Sequence, residues 1–314
     1  MAFIFSPTGA SSQRVRVVLA LLLVYIVWGT TYFAIGIALK DMPPLLLNAS
    51  RFVAAGVLML GWGLLRGHRL PTARQWRNAA LVGALMVFAA MNLVVLAQNA
   101  GIGSGLMATV VTTMPMSLAL WTRLGGEPVR ATSWAGLALG VGGALLLARE
   151  GDFSATLAGG LMAFGAPLAW SLGSYASRKL AQPVPAMAAG VQWLVGGLLC
   201  GAVALPLEPV GALASAGAAA WAAWAYLLVL GTLVALNAYL WLLQHTPPAL
   251  AGSYSFVNPA VALAVGVGLG GEHLTGWVWA ALPLIFGALA LILYGGGSMS
   301  RRRAPSCSAR RAPA

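Results

Sequence analysis

Apolar runs of about twenty residues, separated by short polar breaks, divide the whole chain. They fall at 17–39, 44–65, 78–98, 101–122, 132–148, 157–177, 186–207, 221–243, 249–269 and 274–294. The breaks carry turn chemistry, as in Lys40-Asp41-Met42-Pro43-Pro44, Arg66-Gly67-His68-Arg69-Leu70-Pro71, Gln182-Pro183-Val184-Pro185 and Thr246-Pro247-Pro248. A helix needs about twenty apolar residues to cross the hydrocarbon core. A membrane barrel would instead show segments of about ten alternating residues. The pattern therefore predicts an all-α integral membrane protein with ten transmembrane helices. The first run, 17–39, exceeds the apolar core of about 7–15 residues found in a cleavable signal, so it reads as a retained helix behind a short segment 1–16.

The chain also repeats itself. Leu124-Gly125-Gly126-Glu127 returns 145 residues later as Leu269-Gly270-Gly271-Glu272, and at the same offset Trp134 falls on Trp279, Leu139 on Leu284 and Gly142 on Gly287. Each copy follows an apolar run holding one proline, Pro115 or Pro259. A period near half the chain length is far longer than a solenoid unit. It predicts two halves, 17–149 and 155–295, of five spans each. Because five is odd, the second half must enter the membrane from the face opposite to the first, giving two inverted five-helix repeats. Secondary transporters are commonly built this way, with the substrate site near mid-membrane between the repeats.

Composition agrees with lipid as the solvent: the chain is 60% hydrophobic and 8% charged, against about 25% charged in an ordinary soluble domain. Charge sets the orientation. With ten spans, one side receives Arg14, Arg16, Arg66, Arg69, Arg74, Arg77, Arg123, Arg130, Arg178, Lys179, Arg301, Arg302, Arg303, Arg310 and Arg311. The other side receives only Lys40 and Arg149, and Arg51 alone stays inside a span. Basic loops remain cytoplasmic, so both termini are expected inside the cell inner membrane. The net charge of +12 then reflects topology and attraction to anionic lipid rather than nucleic-acid binding. Residues 298–314, rich in Arg, Ala, Pro and Ser, read as a basic disordered cytoplasmic tail. Cys200 and Cys307 make neither a disulfide framework nor a metal cluster, and no cofactor is called for.

Trp28-Gly29-Thr30-Thr31-Tyr32-Phe33-Ala34-Ile35, then Pro43-Pro44, Arg51-Phe52 and the Pro115 run ending in Gly126-Glu127, resemble the EamA-type family of the drug/metabolite transporter superfamily. The second half repeats the order as Trp170-Ser171, Tyr175, Gln192-Trp193, Asn258-Pro259 and Gly271-Glu272. The resemblance covers about residues 15 to 295. It implies a ten-helix inner-membrane carrier that exports amino acids, other metabolites or amphipathic drugs by alternating access, and it implies no particular substrate.

Several polar and aromatic residues inside the runs are candidates for contact with a small organic solute. Trp28 and Tyr32 stand four apart on one helix face, as do Trp170 and Ser174. Such rings offer apolar area with a polar handle, although helix packing and interface anchoring explain them too. Arg51 lies seven residues into the second run, roughly 10 Å deep. Arginine at a helix centre costs about 2.5–3.5 kcal/mol on insertion scales. The matching position in the second half is Gln192, so a structural role and a substrate contact are both open for Arg51. Pro115 and Pro259 should each free a carbonyl four residues earlier, beside Thr112, Tyr254 and Asn258. Asn92 and Asn237 occupy matching positions, again 145 apart. Gly136 and Gly140, with Gly266, Gly268 and Gly270, read as close helix packing within the chain or between the subunits of a homodimer.

The candidate carboxylates and histidines for proton coupling, Glu127, Glu272, His245 and His273, sit at helix ends. Facilitated diffusion and antiport are therefore both compatible with the sequence. A membrane-embedded enzyme or channel-like accessory subunit is the alternative class, but an enzyme calls for a convergent acid, base or metal set that three scattered histidines do not supply. A reporter fused after Ala314 tests the topology. A cytoplasmic reporter is expected to be active and a periplasmic one silent; the reverse would overturn the count of ten.

Overall fold

The computed structural model of the chain describes residues 10–127, 131–147, 157–246, 254–271 and 276–297. These residues are all-helical, with no strand among them. Helices α1 (Ala10–Ala38) and α2 (Pro44–Leu65) come first. Helix α3 runs as Ala73–Gly83, continues as a π-helix over Ala84–Met91 and ends as Asn92–Asn99. Helix α4 is two pieces, Ser104–Val111 and Met114–Leu124, and α5 is Ala131–Leu147. Then come α6 (Leu157–Lys179) and α7 (Pro185–Leu207). After a short turn of helix at Gly211–Ser215, α8 runs Ala218–Tyr226, a π-helix over Leu227–Val234, and Ala235–His245. Helices α9 (Tyr254–Gly270) and α10 (Gly276–Gly297) finish the described chain. Among the described residues, six helical stretches are long and apolar enough to cross a membrane: Gln13–Ala38, Pro44–Leu65, Ala73–Asn99, Ser104–Leu124, Pro185–Leu207 and Ala218–Tyr239.

Local chemistry explains the helix ends. Thr72 and Gln75 form a reciprocal capping box at the start of α3. Helix α4 ends in a Schellman turn at the first Leu-Gly-Gly-Glu: the Glu127 N–H donates to the Thr122 carbonyl (3.1 Å) and the Gly126 N–H to that of Arg123 (3.0 Å). Gly126 takes φ +82° there, and Gly271 in the second copy takes +65°, a region open to glycine at little cost. The same tetrapeptide is thus a helix stop at the end of α4, and Glu272 lies outside the described residues. Proline acts differently in its two copies. Pro115 falls near the start of the second piece of α4, behind a break at Thr112-Thr113, whereas α9 runs unbroken through Pro259. At the break, the Thr112 hydroxyl donates to the Thr109 carbonyl and that of Thr113 to the Val110 carbonyl, both at 2.7 Å.

Helix α2 packs along α7, α5 along α10, α1 along α9 and α8, and α6 along α3 and α4. Helix α3 also meets α7, α8 meets α2, and α4 meets α9. The α2–α7 contact is made close by glycine. A Cβ on Gly56 would fall 2.4 Å from the Leu194 backbone nitrogen, and one on Gly197 would fall 2.6 Å from that of Val53. Gly140 likewise faces Met116 and Ala288 of the same chain, which makes its packing intramolecular.

Two carboxylates pin helix starts at one end of the bundle. Glu208 accepts from the N–H groups of Leu45 (3.0 Å) and Leu46 (2.8 Å) in the first turn of α2. Asp41 accepts from the Gly217 N–H that precedes α8 (3.0 Å). Each oxygen satisfies donors a helix start leaves open and meets the positive end of its dipole. The largest buried cluster lies at this end, joining Ala38 of α1, Leu47 of α2, Val95 of α3, Met107 of α4, Ala163 of α6 and Ala223 of α8.

At the opposite end, Glu127 pairs with Lys179, tying the ends of α4 and α6. The hydrogen bond from Lys179 holds the Glu127 carboxyl below its usual range, and the same bond raises Lys179. The pair is largely solvent-exposed, so screening leaves it weak as a stabiliser.

Substitution separates the two kinds of glycine on α2. Gly56→Ala is expected to lower the melting temperature of the purified protein, since overpacking costs typically about 1–3 kcal/mol. Gly61→Ala, where an added Cβ meets no atom within 4 Å, should leave it unchanged or slightly raised. Equal melting temperatures for both would contradict the close approach.

Candidate functional site

One cavity lies between the helices of the first and second halves. Helix α1 contributes Trp28, Thr31, Tyr32 and Ile35, whose spacing of three and four places them on one face. Helix α2 gives Arg51 and Phe52, α3 gives Val87, Met91 and Val94, and α4 gives Ala108, Val111, Thr112 and Met114. From the second half come Ala166, Pro167 and Trp170 of α6, Trp193 of α7, Leu227, Gly231, Thr232 and Leu236 of α8, and Tyr254 and Asn258 of α9. The cavity volume is ≈ 180 Å³, an order of magnitude above the roughly 10–15 Å³ that holds one water. Ile35, Val94, Ala166 and Leu227 belong both to this wall and to the large buried cluster, so that cluster borders the cavity on one side.

Departures from α-helix fall on this wall. Both π segments supply lining residues, Val87 and Met91 from α3 and Leu227, Gly231 and Thr232 from α8. The Trp28 indole N–H donates to the Gly231 carbonyl inside the second π segment (2.9 Å). This bond fixes the ring on the cavity side of α1. Trp28 also meets Tyr254 edge-on at 4.8 Å and Tyr239 at 5.3 Å, and the two tyrosine rings meet at 5.4 Å. Such ring pairs add about 0.5–1.5 kcal/mol beyond their buried area.

The polar part of the wall centres on Arg51, which is only 4% exposed. Its Nη2 donates to Asn48 Oδ1 (2.9 Å), and its guanidinium carbon sits 4.3 Å from the centre of the Phe52 ring. Its Nε–H has no hydrogen-bond partner among the described residues. Asn48 is held from behind: its Nδ2 donates to Asn92 Oδ1 and to the Met91 carbonyl, both at 2.9 Å. Asn92 in turn donates to the Cys200 sulfur (3.2 Å). Across the wall, Asn258 is buried and its Oδ1 also lacks a partner among the described residues. The described residues hold no cluster of three or more metal-ligating side chains.

The chain matches the sequence model of the EamA-like transporter family over residues 15–149 and again over 157–294. The chain belongs to this family. Among its relatives, the inner membrane transporter YedA of Escherichia coli is 38% identical over 277 residues, spanning 88% of this chain and 90% of that protein. A probable amino-acid metabolite efflux pump of Salmonella typhimurium is 25% identical over 299 residues, spanning 87% of this chain and 93% of the pump. A solved crystal structure shares the fold with a TM-score of 0.63 at 24% identity, covering 93% of this transporter and 99% of the solved chain.

Six of the nine residues singled out in the sequence come together in the transporter's cavity: Trp28, Tyr32, Arg51, Trp170, Tyr254 and Asn258. Three lie elsewhere. Asn92 is buried behind Asn48. The Ser174 hydroxyl donates to the Trp170 carbonyl of its own helix (2.9 Å). Asn237 is exposed, and its amide donates to the Leu233 carbonyl. Its match in sequence with Asn92 is therefore not a match in environment. Sequence reasoning passed over Thr31, Phe52, Thr232 and Trp193 as wall residues. Thr31 carried a signal, standing three residues from Trp28 on the same face.

Cysteine accessibility separates wall from surroundings. Trp28→Cys and Trp170→Cys are expected to react with a water-soluble maleimide and to be protected by a transported solute. Labelling at Ser174→Cys should not respond to solute. Solute-insensitive labelling at both tryptophan positions would remove them from the pathway.

Proposed function

We propose that this protein is a secondary transporter that moves small organic solutes outward across the inner membrane by alternating access. The single observation that carries the reading is the cavity: it lies between the two halves, is walled by aromatic and aliphatic side chains with a few polar groups, and is bordered on one side by a large packed cluster. A solute-sized cavity between two repeats is where a secondary transporter holds its cargo. Solute class and direction draw support from the Salmonella relative named as a probable amino-acid metabolite efflux pump. The proposed cargo is accordingly an amino acid, another metabolite or an amphipathic drug.

The proposed architecture is ten spans in two inverted repeats, 17–149 and 155–295, with both termini cytoplasmic. Packing supports it. If the halves are related by a two-fold axis, exchanging them must return the same set of contacts. Helix α2 packs on its counterpart α7, α4 on α9 and α5 on α10; α3 on α6 mirrors α8 on α1, and α3 on α7 mirrors α8 on α2. The glycine contacts follow the same rule. Residues 53 and 56 correspond to 194 and 197 at an offset of 141, with Gly56 against Leu194 and Gly197 against Val53. Rocking of one repeat against the other would then expose the cavity to one face of the membrane at a time.

Reconstitution of the full chain into liposomes with a panel of amino acids and amphipathic drugs tests the function. Saturable, protein-dependent flux of a subset is expected. Flux that is insensitive to solute structure across the panel would sink the carrier reading.

A further inference from the structure

We propose that the solute is an amphipathic organic anion: its carboxylate pairs with Arg51 while its apolar body lies against Trp28 and Tyr254. This inference rests on the transport reading of the cavity. It starts from a charge without a counter-charge. A guanidinium is ionised at any physiological pH, and Arg51 is buried on the cavity wall with its Nε–H unpartnered among the described residues. Among the described residues, no acidic side chain lines the cavity. The described acids are engaged elsewhere: Asp41 with the Gly217 N–H, Glu208 with the Leu45 and Leu46 N–H groups, and Glu127 with Lys179. Glu150, Asp152 and Glu272 lie outside the described residues.

A purely structural arginine would use its donors to bridge helices. The hydrogen bond of Arg51 goes instead to Asn48, three residues earlier on the same helix. The link from α2 to α3 is made by Asn48 itself, through Asn92 Oδ1 and the Met91 carbonyl. Those bonds hold Asn48 in place, so it aims Arg51 rather than competing for the cavity. The corresponding position in the second half is Gln192, so the helix pair does not require a guanidinium at this depth. A planar guanidinium on the wall of a cavity lined mainly by apolar side chains suits a carboxylate, which brings both the negative charge and acceptors to its N–H groups. The Trp28 ring, fixed by its bond to Gly231, offers the complementary apolar surface.

The test compares three probes with one tail and different head groups: 3-phenylpropionate, 3-phenylpropanamide and 3-phenylpropylamine. Binding is measured at neutral pH on the purified full chain in phosphatidylcholine nanodiscs, where the probe supplies the only organic anion with a free carboxylate. The carboxylate is expected to bind about ten-fold or more tighter than the amide, as a charge-assisted bond to a buried cation allows. That ratio should fall to near one in Arg51→Gln and be kept in part by Arg51→Lys. The wild-type ratio needs no variant. Protection of Thr31→Cys, on the cavity wall beside an intact Trp28, from maleimide by the carboxylate, but not by the amide at equal concentration, locates the effect in the cavity. Amide or amine binding as tight as the carboxylate, or a ratio unchanged in Arg51→Gln, would overturn the anion inference while leaving the transport reading intact. Absence of binding and protection by all three probes would count against both.

Discussion

Backbone amides and carbonyls in hydrocarbon have no water to bond, and this constraint governs where the chain can depart from the α-helix. Non-helical backbone at membrane depth is tolerated only where protein or a cavity surrounds it. The three irregular stretches obey this. The π segments Ala84–Met91 and Leu227–Val234 and the break at Thr112-Thr113 all put residues on the cavity wall. Two of them are stitched locally, by the Thr112 and Thr113 hydroxyls at the break and by the Thr232 hydroxyl donating to the Leu227 carbonyl (2.8 Å) in the second π segment. In the second π segment the altered backbone gains a use, because the Gly231 carbonyl takes the Trp28 indole.

The same solvent dictates where charge can sit. The carboxylates of Asp41, Glu208 and Glu127 stay at helix ends, meeting backbone N–H groups or a lysine. Arg51 is the exception, and the buried chain Asn48, Asn92, Cys200 is assembled behind it. A network of this kind fixes one orientation of the guanidinium on the cavity wall. Across the cavity from Arg51 and Phe52 of α2, the rings of Trp28 on α1 and Tyr254 on α9 share the wall with aliphatic side chains such as Val87, Met91 and Leu236. Close approach of the two halves is a matter of missing side chains. Lipid is as apolar as leucine and gives no hydrophobic drive for helices to associate. Contact at Gly56 and Gly197 instead brings backbones together, which strengthens dispersion and holds the halves that flank the cavity.

The residues alone determined that the chain is helical and membrane-embedded, that it is internally duplicated and that it resembles the EamA-type transporters. Hydrophobic run length, turn chemistry and repetition are local or periodic properties, so no tertiary knowledge is needed to read them. Spacing put Trp28 and Tyr32 on one face, and both line the cavity, whereas the pair read the same way on α6 parts company: Trp170 lines the cavity and Ser174 does not. Only the tertiary structure decided which face looks inward. A helix that is apolar all round carries no amphipathic stripe to orient it. Asn92 and Asn237 therefore matched in sequence yet landed in a buried network and on the exposed surface, and Ser174 turned back to its own helix. The cavity and the burial of a guanidinium on its wall arise from packing between distant segments, which local composition does not encode.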